Sequence, residues 1–207
     1  MTQLEFTNNW FESGARPVWD QLLAQFDPAK LLEVGSYEGA SACYLISKLG
    51  PRHVLDLHCV DTWQGGTEQE YRSHDMAAVE QRFKRNLRLA VAQSPHRVDF
   101  TVYQGRSDRV LSKLLADGRG NYFDFIYIDG SHEASDVLCD AVLAFRLLRR
   151  GGYLVFDDYN WIASAAGNKD PLRSPKLAID AFVNIYWRKL RMLNAPVVQI
   201  FLVKESD

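Results

Sequence analysis

The sequence predicts a doubly wound α/β fold, a mostly parallel seven-stranded sheet with helices on both faces and the last strand antiparallel. Three observations carry that reading. Short apolar runs alternate along the chain with segments of helical period, the pattern of strands joined by crossover helices. Early in this alternation an apolar run meets a glycine turn and then a helix, the opening unit of nucleotide-type α/β folds. Two apolar runs near the carboxyl end are separated only by Asn194, Ala195 and Pro196, too few residues for a crossover, so they are expected as antiparallel neighbours.

The elements follow in order. Residues 1–14 are polar with scattered aromatics (Phe6, Trp10, Phe11). Pro17 opens a helix to residue 26, on which Trp19, Leu22, Leu23 and Phe26 share a face, and Asp27-Pro28 ends it. Residues 30–34 read as a short buried strand, 35–39 as a turn and 40–49 as a helix stopped by Gly50-Pro51. The second strand spans 53–60 and ends at Asp61; the Gly-, Gln- and Glu-rich stretch 62–75 is a loop. A helix over 76–92 turns Val79, Phe83 and Leu87 inward. The third strand covers 98–103, and Ser107 or Asp108 caps a helix to 115. The fourth strand, 123–128, ends at Asp129. The clearest helix lies near 133–149, with Val137, Ala141 and Phe145 in its stripe; Arg149 and Arg150 suit its C-terminus and Gly151 its cap. The fifth strand, 153–156, ends at Asp157-Asp158. A long connection over 159–173 leads to Ser174-Pro175, an N-cap and first-turn pair for a helix to 187. The closing strands are 190–193 and 197–203. With no repeat, low-complexity tract or linker, residues 1–207 read as one domain, 1–29 forming an N-terminal helical cap region.

Composition narrows the function. The chain has 207 residues, 47% hydrophobic and 24% charged, enough for one sizeable core. A net charge of -2 gives no long-range attraction to nucleic acid or to an anionic membrane. No apolar run approaches the roughly 18–20 residues that span a bilayer, and residues 1–10 lack the apolar core of a signal peptide, so a cytoplasmic location is expected. Cys43, Cys59 and Cys139 are widely spaced and form no CxxC pair; reduced thiols are expected, not a zinc site.

In an open α/β sheet, ligands bind beyond the carboxyl ends of the strands. Here those ends carry Glu33, Asp61, Asp129 and the pair Asp157-Asp158. Such acids converge on one crevice and repel each other unless a cation or hydrogen-bond donors balance them, or some protonate. Ribose hydroxyls, a sulfonium or a metal ion would serve. The turn from Glu33 to Gly39 lacks the G-x-G-x-x-G of dinucleotide sites, which disfavours a nicotinamide oxidoreductase. By itself it could be a tight strand–helix turn without a ligand. Asp61 alone could equally be a helix cap or a ribose ligand; with Glu33 and Gly35 in place the ligand reading is preferred.

The segments LLEVGSYEGAS, CVDTWQGG and FDFIYIDGSHEASDVLCDAVLAFRLLRRGGYLVFDDY together resemble class I S-adenosylmethionine-dependent methyltransferases. The nearest subgroup is the small bacterial one of sugar and macrolide O-methyltransferases. The resemblance is good over residues 30–160 and looser beyond. It implies a Rossmann-like methyltransferase sheet with Glu33, Gly35, Ser36 and Gly39 at the methionine end of the cofactor. Asp61 would hold the ribose, with Thr62 and Trp63 beside the adenosine, and Gly105 and Ser107 would approach the adenine. Trp63 could instead cover the core. Asp129 counts among both the cofactor contacts and the catalytic groups.

The same resemblance implies a divalent ion held by Asp129, Asp157 and Asp158, an all-oxygen set that suits Mg²⁺. The alternative is a pair of aspartates capping a loop without metal. His132 stands three residues after Asp129, where catechol-type relatives have lysine. The sugar-modifying enzymes place an aspartate base where this chain has Ser131. His132 is therefore the candidate general base, with a metal-ligand role left open. The expected reaction is methyl transfer to a hydroxyl of a small molecule, a sugar, natural product or phenol. Metal-independent N- or O-methylation, and a cofactor-binding module without turnover, are the alternatives. No nucleic acid or membrane partner is expected, and a homodimer is left open. The acceptor should be bounded by residues 1–20, 62–76 and 159–175, whose aromatics include Trp10, Phe11, Trp63, Tyr71, Tyr159 and Trp161.

Overall fold

A computed structural model describes residues 3–66, 74–162 and 170–207. The strands are β1 (Lys30–Val34), β2 (Leu55–Asp61), β3 (Val98–Gln104), β4 (Phe123–Ile128), β5 (Leu148–Phe156), β6 (Leu190–Met192) and β7 (Ile200–Lys204). The helices are α1 (Trp10–Ser13), α2 (Arg16–Leu22), α3 (Ala40–Leu49), α4 (Met76–Gln93), α5 (Ser107–Ala116), α6 (Ala134–Leu147) and α7 (Pro175–Tyr186). They form the expected seven-stranded sheet, in the order β3-β2-β1-β4-β5-β7-β6. The first five strands pair in parallel, and β7 runs antiparallel to both β5 and β6.

Strand periodicity divides the core between two faces. Leu31 joins Trp19, Leu45, Phe83 and Phe125 on one face, while its neighbour Leu32 joins Phe145, Phe156, Phe182 and Leu202 on the other. By the same alternation Glu33 shares a side with Leu31. At the far end, Lys204 is 1% exposed. Its ammonium donates to Asn121 Oδ1 at 2.6 Å and to the carbonyls of Phe145 at 3.1 Å and Leu148 at 2.9 Å. It thus joins β7 to the point where α6 passes into β5. No helix among the described residues is long and apolar enough to cross a membrane.

Three local expectations need correction. The helix near 133–149 ends at Leu147, and Leu148 already pairs with Phe123 in the sheet. The register then moves from Phe123↔Leu148 to Phe125↔Tyr153, so the extra residues bulge out. Gly151, at φ 76°, serves that bulge instead of a helix cap; glycine supplies positive φ to either device, so the sequence signal is the same. Arg149 pairs with Asp124, whose other oxygen accepts the Ala29 and Lys30 amides at 2.9 Å. The last strand begins at Ile200, not 197, leaving Val197 and Val198 exposed while Gln199 turns inside. Near the N-terminus the chain already coils at Trp10, and α2 stops at Leu22.

Candidate active site

Strand order reverses between β1 and β4, whose helical connections leave on opposite faces, and the crevice opens there. Its floor continues the sheet. The first residue past β1, β4, β3 and β5 still bonds a neighbouring strand: Gly35 N to Val60 O at 2.8 Å, Asp129 N to Val34 O at 2.7 Å, Gly105 N to Asp61 O at 2.9 Å and Asp157 N to Ile128 O at 3.0 Å. Gly35 is required by this closeness. It has φ +86°, and a Cβ there would lie 1.9 Å from the Asp129 carbonyl oxygen.

Beneath the turn, Glu33 is 0% exposed and its carboxylate accepts from Ser36 Oγ at 2.5 Å and from Ser41 Oγ. Burial pushes its pKa up to about 7, with the nearby Asp61 charge adding to the rise and the two serines opposing it. Asp61 organises the turn from its open side. Its Oδ2 accepts the backbone amides of Ser36 at 2.8 Å and Tyr37 at 2.9 Å, and its Oδ1 accepts that of Trp63 at 2.7 Å. A carboxylate has about four acceptor positions, so Oδ1 keeps one for a ligand hydroxyl. Gly39, at φ +81°, starts α3.

Across the crevice, one donor atom each of Asp129, His132 and Asp158 lie within 4.8 Å of one another. His132 Nε2 is 2.8 Å from Asp158 Oδ2, and Trp161 packs on the imidazole with centroids 4.0 Å apart. Asp158 takes a left-handed backbone, φ 54°, unusual for a residue other than glycine and a mark of a held geometry. Asp157 is otherwise engaged: Oδ2 accepts the Tyr127 hydroxyl and Gln199 Nε2 at 2.9 Å, and Oδ1 accepts the Asp158 amide at 2.7 Å. Tyr127 O–H also lies 3.0 Å from Asp129 Oδ2. Asp129 keeps an edge toward the crevice but is ringed by protein. Desolvation first, and then the Asp157 and Asp158 charges, hold its pKa well above the carboxylate range. Burial and Asp158 likewise raise Asp157.

The remaining predicted residues divide. Thr62 and Gly105 flank the end of β2 and β3 at the crevice edge, and Ser107 is the first residue of α5. Trp63 is 5% exposed, packs on Phe83 and donates Nε1–H to the Tyr37 carbonyl at 3.0 Å, so its ring belongs to the core. Of the acceptor-side aromatics, Phe11 is also core, Tyr159 donates to Asp180, and Trp10 stays 45% exposed beside Tyr37. Tyr71, with residues 67–73 and 163–169 of the expected loops, lies outside the described residues.

Sequence reasoning missed Tyr127 and Gln199. A hydroxyl two residues before Asp129 on a buried strand, and a lone amide in the run Pro196–Val203, were the available signals. It also missed the N-terminal strap. Thr7 bonds Glu38 through N and Oγ1 at 2.7 and 2.8 Å, and Glu5 exchanges backbone bonds with the Asn86 amide.

The fold and this crevice define a methyltransferase-type α/β domain. A family model described as a methyltransferase domain matches residues 32–159, and the chain belongs to that family. The chain is 23% identical over 164 residues to a probable caffeoyl-CoA O-methyltransferase of Dictyostelium discoideum, covering 75% of this chain and 57% of the relative. It spans only 52% of a second relative, an uncharacterised protein of Acanthamoeba polyphaga mimivirus, at 24% identity over 64% of this chain. Among solved structures, an O-methyltransferase from Bacillus cereus in complex with SAH superposes with a TM-score of 0.60 at 17% identity, covering 98% of this chain and 84% of that one. The O-methyltransferase TomG from Streptomyces achromogenes, in complex with SAM, gives 0.58 at 16% identity, covering 90% and 77%.

Proposed function

We propose that this protein transfers a methyl group from S-adenosylmethionine to a hydroxyl of a small-molecule acceptor, with a divalent cation assisting. The observation that carries the reading is the meeting, in one crevice, of the Asp61-braced glycine turn with the Asp129, His132 and Asp158 cluster.

The residues fit both groups. Gly35 brings bare backbone to the crevice, and Asp61 retains an acceptor for a ribose hydroxyl. Ser36, Gly39, Thr62, Gly105 and Ser107 complete the cofactor wall. Burial and neighbouring carboxylates raise Asp129 and Asp157, a penalty that positive charge would relieve, and the donors gathered closest are Asp129, Asp158 and His132. Mg²⁺ matches the oxygens, and a nitrogen donor would widen the choice of metal.

S-adenosylmethionine supplies an electrophilic methyl group for in-line displacement by the acceptor oxygen. A divalent cation supplies a lowered alcohol pKa and a fixed direction for that oxygen. The chain supplies the rest. Asp129 and Asp158 hold the acceptor end of the crevice, and His132 stands beside them as the candidate base. Asp158 orients its imidazole, and Trp161 shields it from water. The His132–Asp158 hydrogen bond also supports a second reading, metal-independent transfer to O or N, because a histidine so oriented can act as base unaided.

The test is methyl transfer to a panel of sugars, phenols and natural-product alcohols, with S-adenosylhomocysteine formation as readout. Activity abolished by EDTA and restored by Mg²⁺ supports the first reading, and full activity after chelation supports the second. His132→Ala should lower kcat by roughly 10²–10⁴-fold with cofactor affinity kept. Loss of metal affinity instead would make His132 a ligand. Failure to bind S-adenosylhomocysteine would overturn both readings.

A further inference from the structure

Three side chains outside the crevice close a ring around Asp157. Trp19 of α2 donates Nε1–H to Gln199 Oε1 at 2.9 Å. Gln199 donates Nε2–H to Asp157 Oδ2 at 2.9 Å, and Tyr127 donates its hydroxyl to the same oxygen. The ring closes through packing, since the Trp19 and Tyr127 rings meet edge to face at 4.8 Å and 82°. All three are buried: Trp19 is 0% exposed, Tyr127 1% and Gln199 2%.

The polarity of this ring is determined. An indole N–H only donates and a carboxylate only accepts, so the Gln199 amide can sit one way round. Its oxygen must face Trp19 and its nitrogen must face Asp157. The contacts span 180 residues between Trp19 and Gln199 and 42 between Gln199 and Asp157, so local chain geometry does not produce them. Three bonds to Asp157, counting the Asp158 amide, leave one acceptor position on Oδ1. The same hydroxyl lies 3.0 Å from Asp129 Oδ2, so its single proton is shared between the two carboxylates and ties the position of one to the other.

We propose that Trp19, Gln199 and Tyr127 are positioning residues that set the orientation of Asp157 and Asp129 for cation binding. This rests on the cation-assisted reading above. The N-terminal helix α2 thereby acts on the metal side of the crevice without touching it. Gln199 is the hub, because it alone converts the donor of Trp19 into a donor toward Asp157.

The experiment is Mn²⁺ titration, followed by electron paramagnetic resonance, of the full-length protein and three variants, alongside calorimetry with S-adenosylhomocysteine. Gln199→Met keeps the shape and removes both bonds. Gln199→Glu keeps the acceptor for Trp19 but sets an acceptor against Asp157. Tyr127→Phe removes one hydroxyl. Each should weaken Mn²⁺ binding by about 10- to 100-fold, the range for outer-shell partners of a metal site. Affinity for S-adenosylhomocysteine should stay within about twofold, because none of the three touches the turn at Gly35–Gly39. Variants that bind Mn²⁺ like wild type overturn the proposal, whatever their thermal stability. Should Gln199→Met or Gln199→Glu fail to fold, Tyr127→Phe decides alone. Wild-type protein that binds S-adenosylhomocysteine but no Mn²⁺ overturns the cation reading and the proposal with it.

Discussion

Replacing Glu33 by Gln should stabilise the protein at pH 8 and do little at pH 4.5. The carboxyl is fully buried under the turn and is raised from 4.5 to about 7, first by desolvation. Between those values the folded chain keeps a proton that the unfolded chain has released, so stability falls as pH rises and the loss is complete above about 7. The cost of ionising it in place is about 3 kcal/mol. Glutamine cannot ionise, keeps the shape and can still meet Ser36 and Ser41. In a chain of this size about 3 kcal/mol corresponds to roughly 6–12 °C in Tm. Asp140 and Asp157 are also raised by burial and tilt both proteins alike; Asp129 owes a small part of its rise to the Glu33 charge, which the variant removes in the same stabilising direction. The measurement is therefore the difference between the two stability curves, from urea or thermal unfolding at pH 4.5 to 8. Parallel curves would refute the reasoning, as would a uniform loss of stability in Glu33→Gln.

Three further outcomes follow from the same geometry. Asp61→Asn places an NH₂ group against a backbone amide that now has an acceptor; S-adenosylhomocysteine binding should weaken by about 1.5–3 kcal/mol in calorimetry, as a charge-assisted bond is lost. Gly35→Ala puts a methyl 1.9 Å from the Asp129 carbonyl and a side chain at φ +86°, so the variant should lose more than about 4 kcal/mol, seen as insoluble expression or a collapsed Tm. Lys204→Met leaves Asn121 and the carbonyls of Phe145 and Leu148 without their donor, and its urea midpoint should fall by the equivalent of about 3 kcal/mol.

The sheet was legible because its signals are local. Periodicity placed β1 to β4, the last residues of β5 and the helices between them, and the acids at the strand ends marked the crevice. Where two structures share one signal, reading failed. Gly151 serves a helix cap or a bulge equally well, and only the pairing of Leu148 with Phe123 decides. Val197 and Val198 look like strand, but the burial of Gln199 against Trp19 delays β7 until Ile200. The candidate site was legible as residue types at the strand ends but not as orientations. Glu33 reads as a crevice acid in sequence, yet strand alternation sends it beneath the turn to Ser36 and Ser41. Asp157 and Asp158 are adjacent identical letters, and only tertiary contacts with Tyr127, Gln199 and His132 separate their surroundings.

The hydrogen bonds that run one residue past β1, β3, β4 and β5 have a consequence for how such a protein can change. Gly35, Gly105, Asp129 and Asp157 are each tied to a neighbouring strand by their own backbone amides, whatever side chain stands there. The chemistry-bearing positions are thus mounted on main chain as stiff as the sheet itself. The Trp10 and Trp161 rings lie beyond the strand ends, packed on Tyr37 and His132. Substitutions at Trp10 can change the rim while the spacing of Asp61 and Asp129 stays as the sheet sets it. On the proposed methyl-transfer reading, new acceptors would be reached by changing the rim at Trp10, with no need to rebuild the crevice below it.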